Sequence, residues 1–341
     1  MITPPSAVST EPGIRIAWRK AIATMIHLWL PTAAVLGAVA ASPDWAPAEQ
    51  AANSARYVGP IIDVHLHALD TIAAGRERRY CFPKPCEGAP TQAKNADDLK
   101  RLMLAAMARN NVVLGIVSGP LDVVLRWTEN EGARFRTGVV LLRPDDVPLD
   151  KLRALYTSGR AQIIGEIGVQ YSGIAIDDPS VDSLFAMAHA LDLPVHVHVA
   201  GLGGTNDFPV NLGNPLRLDP VLRRYPGLRV YLENAGWPFL EEVTSLMYQY
   251  PSVFADVSTI LHLIPRTVAL KYLHGLTENG LGKRIMFGSD QMVWPEVIDV
   301  AVDAIQSADF LTREDKADIF YNNAARFFRL TEEETRKHHG R

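Results

Sequence analysis

The chain of 341 residues is 48% hydrophobic and 21% charged, with a formal net charge of −4 and a pI near 6.2. That profile excludes disordered, collagen-like and coiled-coil chains, and it lacks the basic footprint by which most nucleic-acid-binding proteins act. Two cysteines are too few for a disulfide scaffold, so the fold must rest on a hydrophobic core.

Arg15, Arg19 and Lys20 precede an apolar run from Ala21 to Ala41 that closes on Ala38-Val39-Ala40, a small-x-small pattern. A positive start, an apolar stretch and a small-residue end describe a secretory signal over residues 1–40, with the mature chain beginning near Ala41. A run of ~20 apolar residues can also span a bilayer, which makes an uncleaved membrane anchor the alternative. Pro31 and the cleavage pattern favour removal. The protein is therefore expected to be exported, periplasmic or secreted, and to meet a membrane only if this segment is retained. Residues 41–57 are rich in Ala, Pro and Ser and read as a linker. Cys81 and Cys86 follow in a Gly- and Pro-rich segment, Cys-Phe-Pro-Lys-Pro-Cys. In an oxidising compartment they can close a short disulfide; two metal-binding thiolates are the alternative, but no second Cys pair completes such a site.

From residue 60 short β-branched runs alternate with amphipathic stretches. Candidate strands are 60–67, 112–117, 137–142, 161–167, 194–200, 228–233, 252–257 and 284–289. Helical patterns between them include Asp97–Arg109, Leu149–Thr157, Val181–Leu191, Phe239–Tyr250 and Val297–Ser307. Eight such units imply parallel βαβ connections and a closed (β/α)8 TIM barrel over residues 58–332. Thr312 and Asp315 resemble a capping box, and Asn322–Leu330 extends the chain as a C-terminal amphipathic helix. Residues 333–341 read as a charged tail in which His338 and His339 are solvated.

A barrel of this kind places its chemistry at the C-terminal ends of the strands. Here those ends are polar: Asp63-Val-His65-Leu-His67 on the first, Glu166 on the fourth, His196-Val-His198 on the fifth, Asp256 on the seventh and Asp290 on the eighth. Side chains two residues apart share a strand face, so His65 and His67 can meet one ion, and His196 and His198 also share a face. A single strand His is usually a packed core residue. Imidazoles and carboxylates gathered at one barrel mouth suit a divalent metal, with Zn the best fit and Mn or Fe also compatible. Gln170 and Tyr171, just after strand four, are candidates for substrate contact or ordinary loop positions. Trp237 and Trp294 either rim the mouth or pack at helix starts.

These residues carry a resemblance. Asp63-Val-His65-Leu-His67 is similar to the metal-binding opening of the amidohydrolase superfamily, and Phe287-Gly288-Ser289-Asp290 to its eighth-strand segment. The closing Asn322-Asn323-Ala-Ala-Arg326-Phe327-Phe328 resembles the amidohydrolase-2 (amidohydrolase-related) branch. The resemblance implies that His65, His67, Glu166, His198 and Asp290 are metal ligands, His198 being the fifth-strand ligand and His196 lying one layer below. It also implies that Asp290 exchanges a proton with the attacking water. Glu166 in Gly-Glu-Ile-Gly resembles the fourth-strand ligand of the metal-dependent deoxyribonuclease branch. One departure stands out. Where the family's sixth strand has His shortly before Gly-Trp-Pro, this chain has Glu233-Asn234-Ala-Gly-Trp-Pro. An amide cannot serve as a general base near neutrality, and Glu233 is expected on the opposite strand face unless a bulge turns it inward.

Three functions follow from that reading. The first is a metal-dependent hydrolase that turns an activated water on a C–N or C–O bond of a small-molecule substrate. The second is a decarboxylase of the same branch, a lyase. The third is a metal-holding protein of weak activity, because Asn234 replaces the sixth-strand His. A homo-oligomer is compatible with all three.

Overall fold

The computed structural model describes residues 56–70, 93–203 and 208–341. The expected signal, most of the linker, and Cys81 and Cys86 lie outside the described residues. Eight parallel strands follow one another in sequence order around a nearly closed (β/α)8 barrel. They are β1 (Ile61–His67), β2 (Val112–Gly119), β3 (Phe135–Leu141), β4 (Ile163–Ile167), β5 (Val195–Val197), β6 (Val230–Leu232), β7 (Val253–Asp256) and β8 (Ile285–Met286). Closure comes from the short β8 and the residues after it. Val64 N–H donates to the Phe287 carbonyl (3.0 Å), Asp290 N–H to the His65 carbonyl (2.9 Å) and His67 N–H to the Gln291 carbonyl (3.1 Å).

Helices pack outside. The first, α1 (Ala96–Arg109), starts where the Asn95 side chain accepts from Asp98 N–H, and Asp97 and Asp98 sit in its first turn, where the helix dipole favours acids. Its buried Leu99, Met103, Ala106 and Met107 recur at helical spacing and face the sheet. Helices Leu121–Thr128 and Arg266–Glu278 are among those that join the ones expected from the sequence pattern.

The barrel interior divides into two storeys. Below, Ile62, Val64, Leu114, Ile116, Ile163, Tyr231 and Met286 fill the N-terminal half, and Tyr321, Ala324, Phe327 and Phe328 from the C-terminal extension plug it. Burying side chains of this size contributes ~1.5–3 kcal/mol each. Polar side chains occupy the upper, C-terminal half, as the site requires.

The extension begins with the expected capping box: the Thr312 side chain accepts from Asp315 N–H, and Asp315 reaches back to Thr312 N–H. The charged tail is helical: residues Glu332–His338 form a helix with a second capping box between Thr331 and Glu334. His338 is not simply solvated, since its Nδ1 lies 2.9 Å from the Tyr321 hydroxyl. Among the described residues no helix is long and apolar enough to cross a membrane.

Candidate metal centre

The β1–β2 ladder slips register between Asp63 and Leu66, and beyond the slip both His65 and His67 emerge inside the barrel mouth. Their Nε2 atoms lie 3.0 Å apart. Asp290 Oδ1 sits 3.0 Å from His67 Nε2 and 3.5 Å from His65 Nε2, and Glu166 Oε2 lies 3.7 Å from His67 Nε2. His198 Nδ1 is 2.9 Å from Glu233 Oε1 and 3.5 Å from Glu166 Oε1. One layer down, His196 stacks on Tyr231, its ring centroid 4.2 Å away, and its Nε2 is 3.5 Å from Asp256 Oδ2. Apart from Asp290, whose side chain is 15% exposed, all of these side chains are almost completely buried.

Glycine makes the close approach possible. A Cβ on Gly288 would stand 2.8 Å from His65 Cβ and 3.1 Å from Ser258 Cβ. No larger residue at 288 leaves His65 where it is.

Hydrogen bonds decide which nitrogens are free. His198 Nε2 faces the Leu202 carbonyl at 2.7 Å, and a carbonyl only accepts, so Nε2 carries the proton. Nδ1 is left pointing at carboxylate oxygens of Glu166 and Glu233. The Nε2 atoms of His65 and His67 likewise face each other and Asp290. Acceptor facing acceptor at such distances is unfavourable unless a proton or a cation lies between them. Glu233 Oε2, Asp256 Oδ2 and His196 Nε2 are also buried without hydrogen-bond partners. This donor set fits a divalent cation. Three groups of convergent donors are present: His65 with His67 and Glu166, His65 with His196 and Glu233, and Glu166 with His198 and Glu233.

The electrostatics agree. Burial alone would lower the pKa of His65, but Glu233, Asp290 and Asp256 together hold it well above the usual imidazole range. His198 is raised against the same burial by Glu233 and Glu166. The two carboxylates Glu166 and Glu233 divide in opposite directions. Burial raises both, yet His198 and His67 pull Glu166 well below the usual carboxylate range, while Glu233, lying beside Glu166, stays raised. Asp290 is lowered despite burial by His65 and His67 and is ionised at neutral pH. Asp63, deeper still, is pushed up to about 7 by burial, more than the amide hydrogen bonds from His65 and Ser289 lower it.

The structure brings His65, His67, Glu166, His198 and Asp290 to one mouth and sets His196 one layer below. Glu233 is a correction: it faces inward, not outward. Tyr231 points into the barrel, and Glu233, two residues on, shares its face. Asn234 then turns left-handed, with φ 55° and ψ 24°, which keeps its side chain inside as well. Gln170 meets the backbone of a candidate ligand instead of the cavity. It is fully buried in a short 3-10 turn, where its amide donates to the His198 carbonyl, and it does not reach the cavity. Tyr171 does line the cavity. Trp294 packs with Val293 and Val297 at a helix start, and Trp237 against the main core, so neither rims the mouth. The sequence pattern marked Asp256 as a polar strand end without giving it a role, and Ser258 and Thr259, which follow within three residues, carried no signal.

Above these groups opens a cavity of about 350 Å3, walled by Leu69, Leu142, Tyr171, Leu202, Leu263 and Met292.

A parallel (β/α)8 barrel with clustered His and carboxylate donors at its C-terminal mouth defines the class of metal-binding barrels. The profile of the amidohydrolase family matches residues 62–330, and the chain belongs to that family. A stretch of 155 residues is 25% identical to Protein fluG of Emericella nidulans, taking in 41% of this chain but only 18% of that protein's length. Among solved structures, a probable 2-pyrone-4,6-dicarboxylic acid hydrolase from Acinetobacter baumannii is 15% identical, with 79% of this chain and 99% of that one superposed at a TM-score of 0.57. A dihydroxybenzoic acid decarboxylase from Polaromonas, solved with manganese and the inhibitor 2-nitroresorcinol, is 14% identical over 80% of this chain and 98% of that one, also at 0.57. These likenesses are likenesses of fold.

Proposed function

We propose that the chain is a metal-dependent hydrolase that cleaves a C–N or C–O bond of a small, largely apolar molecule. The observation that carries this reading is the convergence of imidazole nitrogens and carboxylate oxygens from His65, His67, Glu166 and Asp290 at the barrel mouth. Those residues would hold the ion, with His198 and Glu233 at hand to complete its shell. An imidazole-rich donor set with hard oxygens suits Zn2+, and also Mn2+ or Fe2+. A divalent ion bound there lowers the pKa of a water and polarises a carbonyl or ester oxygen.

The protein's own groups supply the rest. Asp290 is ionised and borders the cavity, so its carboxylate can take a proton from water and return it to the leaving group. Thr259 Oγ1 donates to Asp290 Oδ2 and aims the carboxylate. The leucine walls exclude bulk water and favour an apolar substrate body over a heavily charged one.

One observation favours decarboxylation as a second reading. Strand six offers at Asn234 an amide, which cannot shuttle a proton near neutrality. Decarboxylation asks for a single proton delivered to carbon. Hydrolysis asks for one to be taken from water and passed on. The shared fold of the Polaromonas decarboxylase makes the comparison direct. The test is a panel of neutral esters, lactones and amides against aromatic carboxylic acids, supplied with Zn2+ or Mn2+. Carboxylic acid product from the first set without carbon dioxide from the second supports hydrolysis; the reverse pattern overturns it.

A further inference from the structure

Asn234 follows β6 in the left-handed region, which Asn tolerates better than most residues, and only 2% of it is exposed. Its amide has one possible orientation. The backbone N–H of Thr259 lies 2.9 Å from Oδ1, and since that group can only donate, the atom facing it is oxygen. Nδ2 therefore donates to Glu233 Oε1 at 3.1 Å.

Ser258 Oγ lies 3.0 Å from Oδ1 and closer still to Asp256 Oδ1, so the amide shares the hydroxyl proton with that carboxylate. A hydroxyl has one proton, and these two oxygens claim it. Its lone pairs are thus turned to His65 Nδ1, 2.9 Å away, which must be the donor. Nε2 of His65 is then the nitrogen that faces His67 and Asp290. Thr259, whose N–H the amide holds, gives its hydroxyl to Asp290 Oδ2. Glu233 Oε1, held by Nδ2, is the oxygen nearest His198 Nδ1.

We infer that Asn234 is a positioning residue, a single amide that orients His65 through Ser258, Asp290 through Thr259, and Glu233 directly. On this account the amide is not a worn-down histidine. An imidazole at 234 offers at most one acceptor and cannot hold Ser258, Thr259 N–H and Glu233 together. Asn234→His is accordingly expected to lower metal affinity.

The inference rests on the metal-holding reading of the site for one of its two tests only. In the first, full-length wild type, Asn234→Gly and Asn234→Asp are titrated with Zn2+ alone and with Mn2+ alone against a chromophoric chelator. Glycine keeps the left-handed backbone and removes the amide, and affinity should fall about 10- to 100-fold, as for lost partners of metal ligands. Aspartate keeps the acceptor for Ser258 and Thr259, so its loss should be smaller than that of Asn234→Gly. The second test uses metal-free protein and follows the His65 Nδ1 proton by NMR. Held by Ser258, it should exchange slowly in wild type and about tenfold faster in Asn234→Gly, the effect of losing one hydrogen bond. Should Asn234→Gly fail to fold, Asn234→Ala, which also removes the amide, carries the same exchange test. A wild type that binds neither ion refutes the metal reading and leaves the exchange rate to judge the clamp. Unchanged His65 Nδ1–H exchange in Asn234→Gly overturns the inference, as does wild-type metal affinity in that variant.

Discussion

Gly288→Ala places one methyl group against the most crowded part of the candidate site. The added carbon would lie 2.8 Å from His65 Cβ, 3.1 Å from Ser258 Cβ and 3.5 Å from Asp256 Cγ. Carbon atoms settle at about 3.5–4.0 Å, so His65 must retreat by roughly 0.7 Å or more. Ligand positions tolerate only about 0.5 Å before a site loosens. We therefore expect metal affinity to fall by about tenfold or more, together with an overpacking cost of about 1–3 kcal/mol. Chelator competition reads the first and thermal unfolding of the metal-free protein the second. Gly275→Ala is the matched control. Its methyl would meet the flexible Leu240 Cδ2 at 2.8 Å, far from the ion-binding side chains, so stability can change there but metal affinity should not. Equal metal affinity in Gly288→Ala and wild type would refute the reasoning, because His65 would then be free to move without consequence.

Three further expectations are independent of that one. Thr312→Ala removes the side-chain acceptor of the Asp315 N–H, costing about 1 kcal/mol and about 2 °C in Tm, with metal content unchanged. Leu263→Trp intrudes on the cavity wall; KM for a bulky neutral ester should rise about tenfold while that for a small ester moves less, and equal changes in both would remove the cavity from the account. We also propose that the segment Met1–Ala40 directs export: mass spectrometry of exported protein should find a chain starting near Ala41, and retention of the segment in a membrane fraction would indicate an anchor instead.

The order of eight strands was legible because parallel strands of this length announce themselves as β-branched runs between amphipathic helical patterns. His65 and His67 were legible for a related reason, a two-residue period at a strand end. Glu233 was misread because alternation was counted from Asn234, whereas the strand enters with Tyr231 inside the barrel, and the left-handed Asn234 and Ala235 that follow break any simple period. Positive φ at such residues depends on contacts from other strands, here Ser258 and Thr259, which no local pattern reveals. Gln170 looked available because it follows β4, but a short 3-10 turn folds it back under His198. The tail looked like solvated charge, yet Thr331 and Glu334 spell a capping box as plainly as Thr312 and Asp315 do.

The claim on which the account stands is that His65 and His67 help to hold a divalent ion. Full-length protein, purified without chelators and dialysed against Zn2+ or Mn2+, should carry one transition-metal ion per chain by elemental analysis. The double variant His65→Ala, His67→Ala should lose it while retaining the far-UV spectrum of a folded barrel. Metal-free wild type after such loading, or undiminished metal in the folded double variant, would contradict the account.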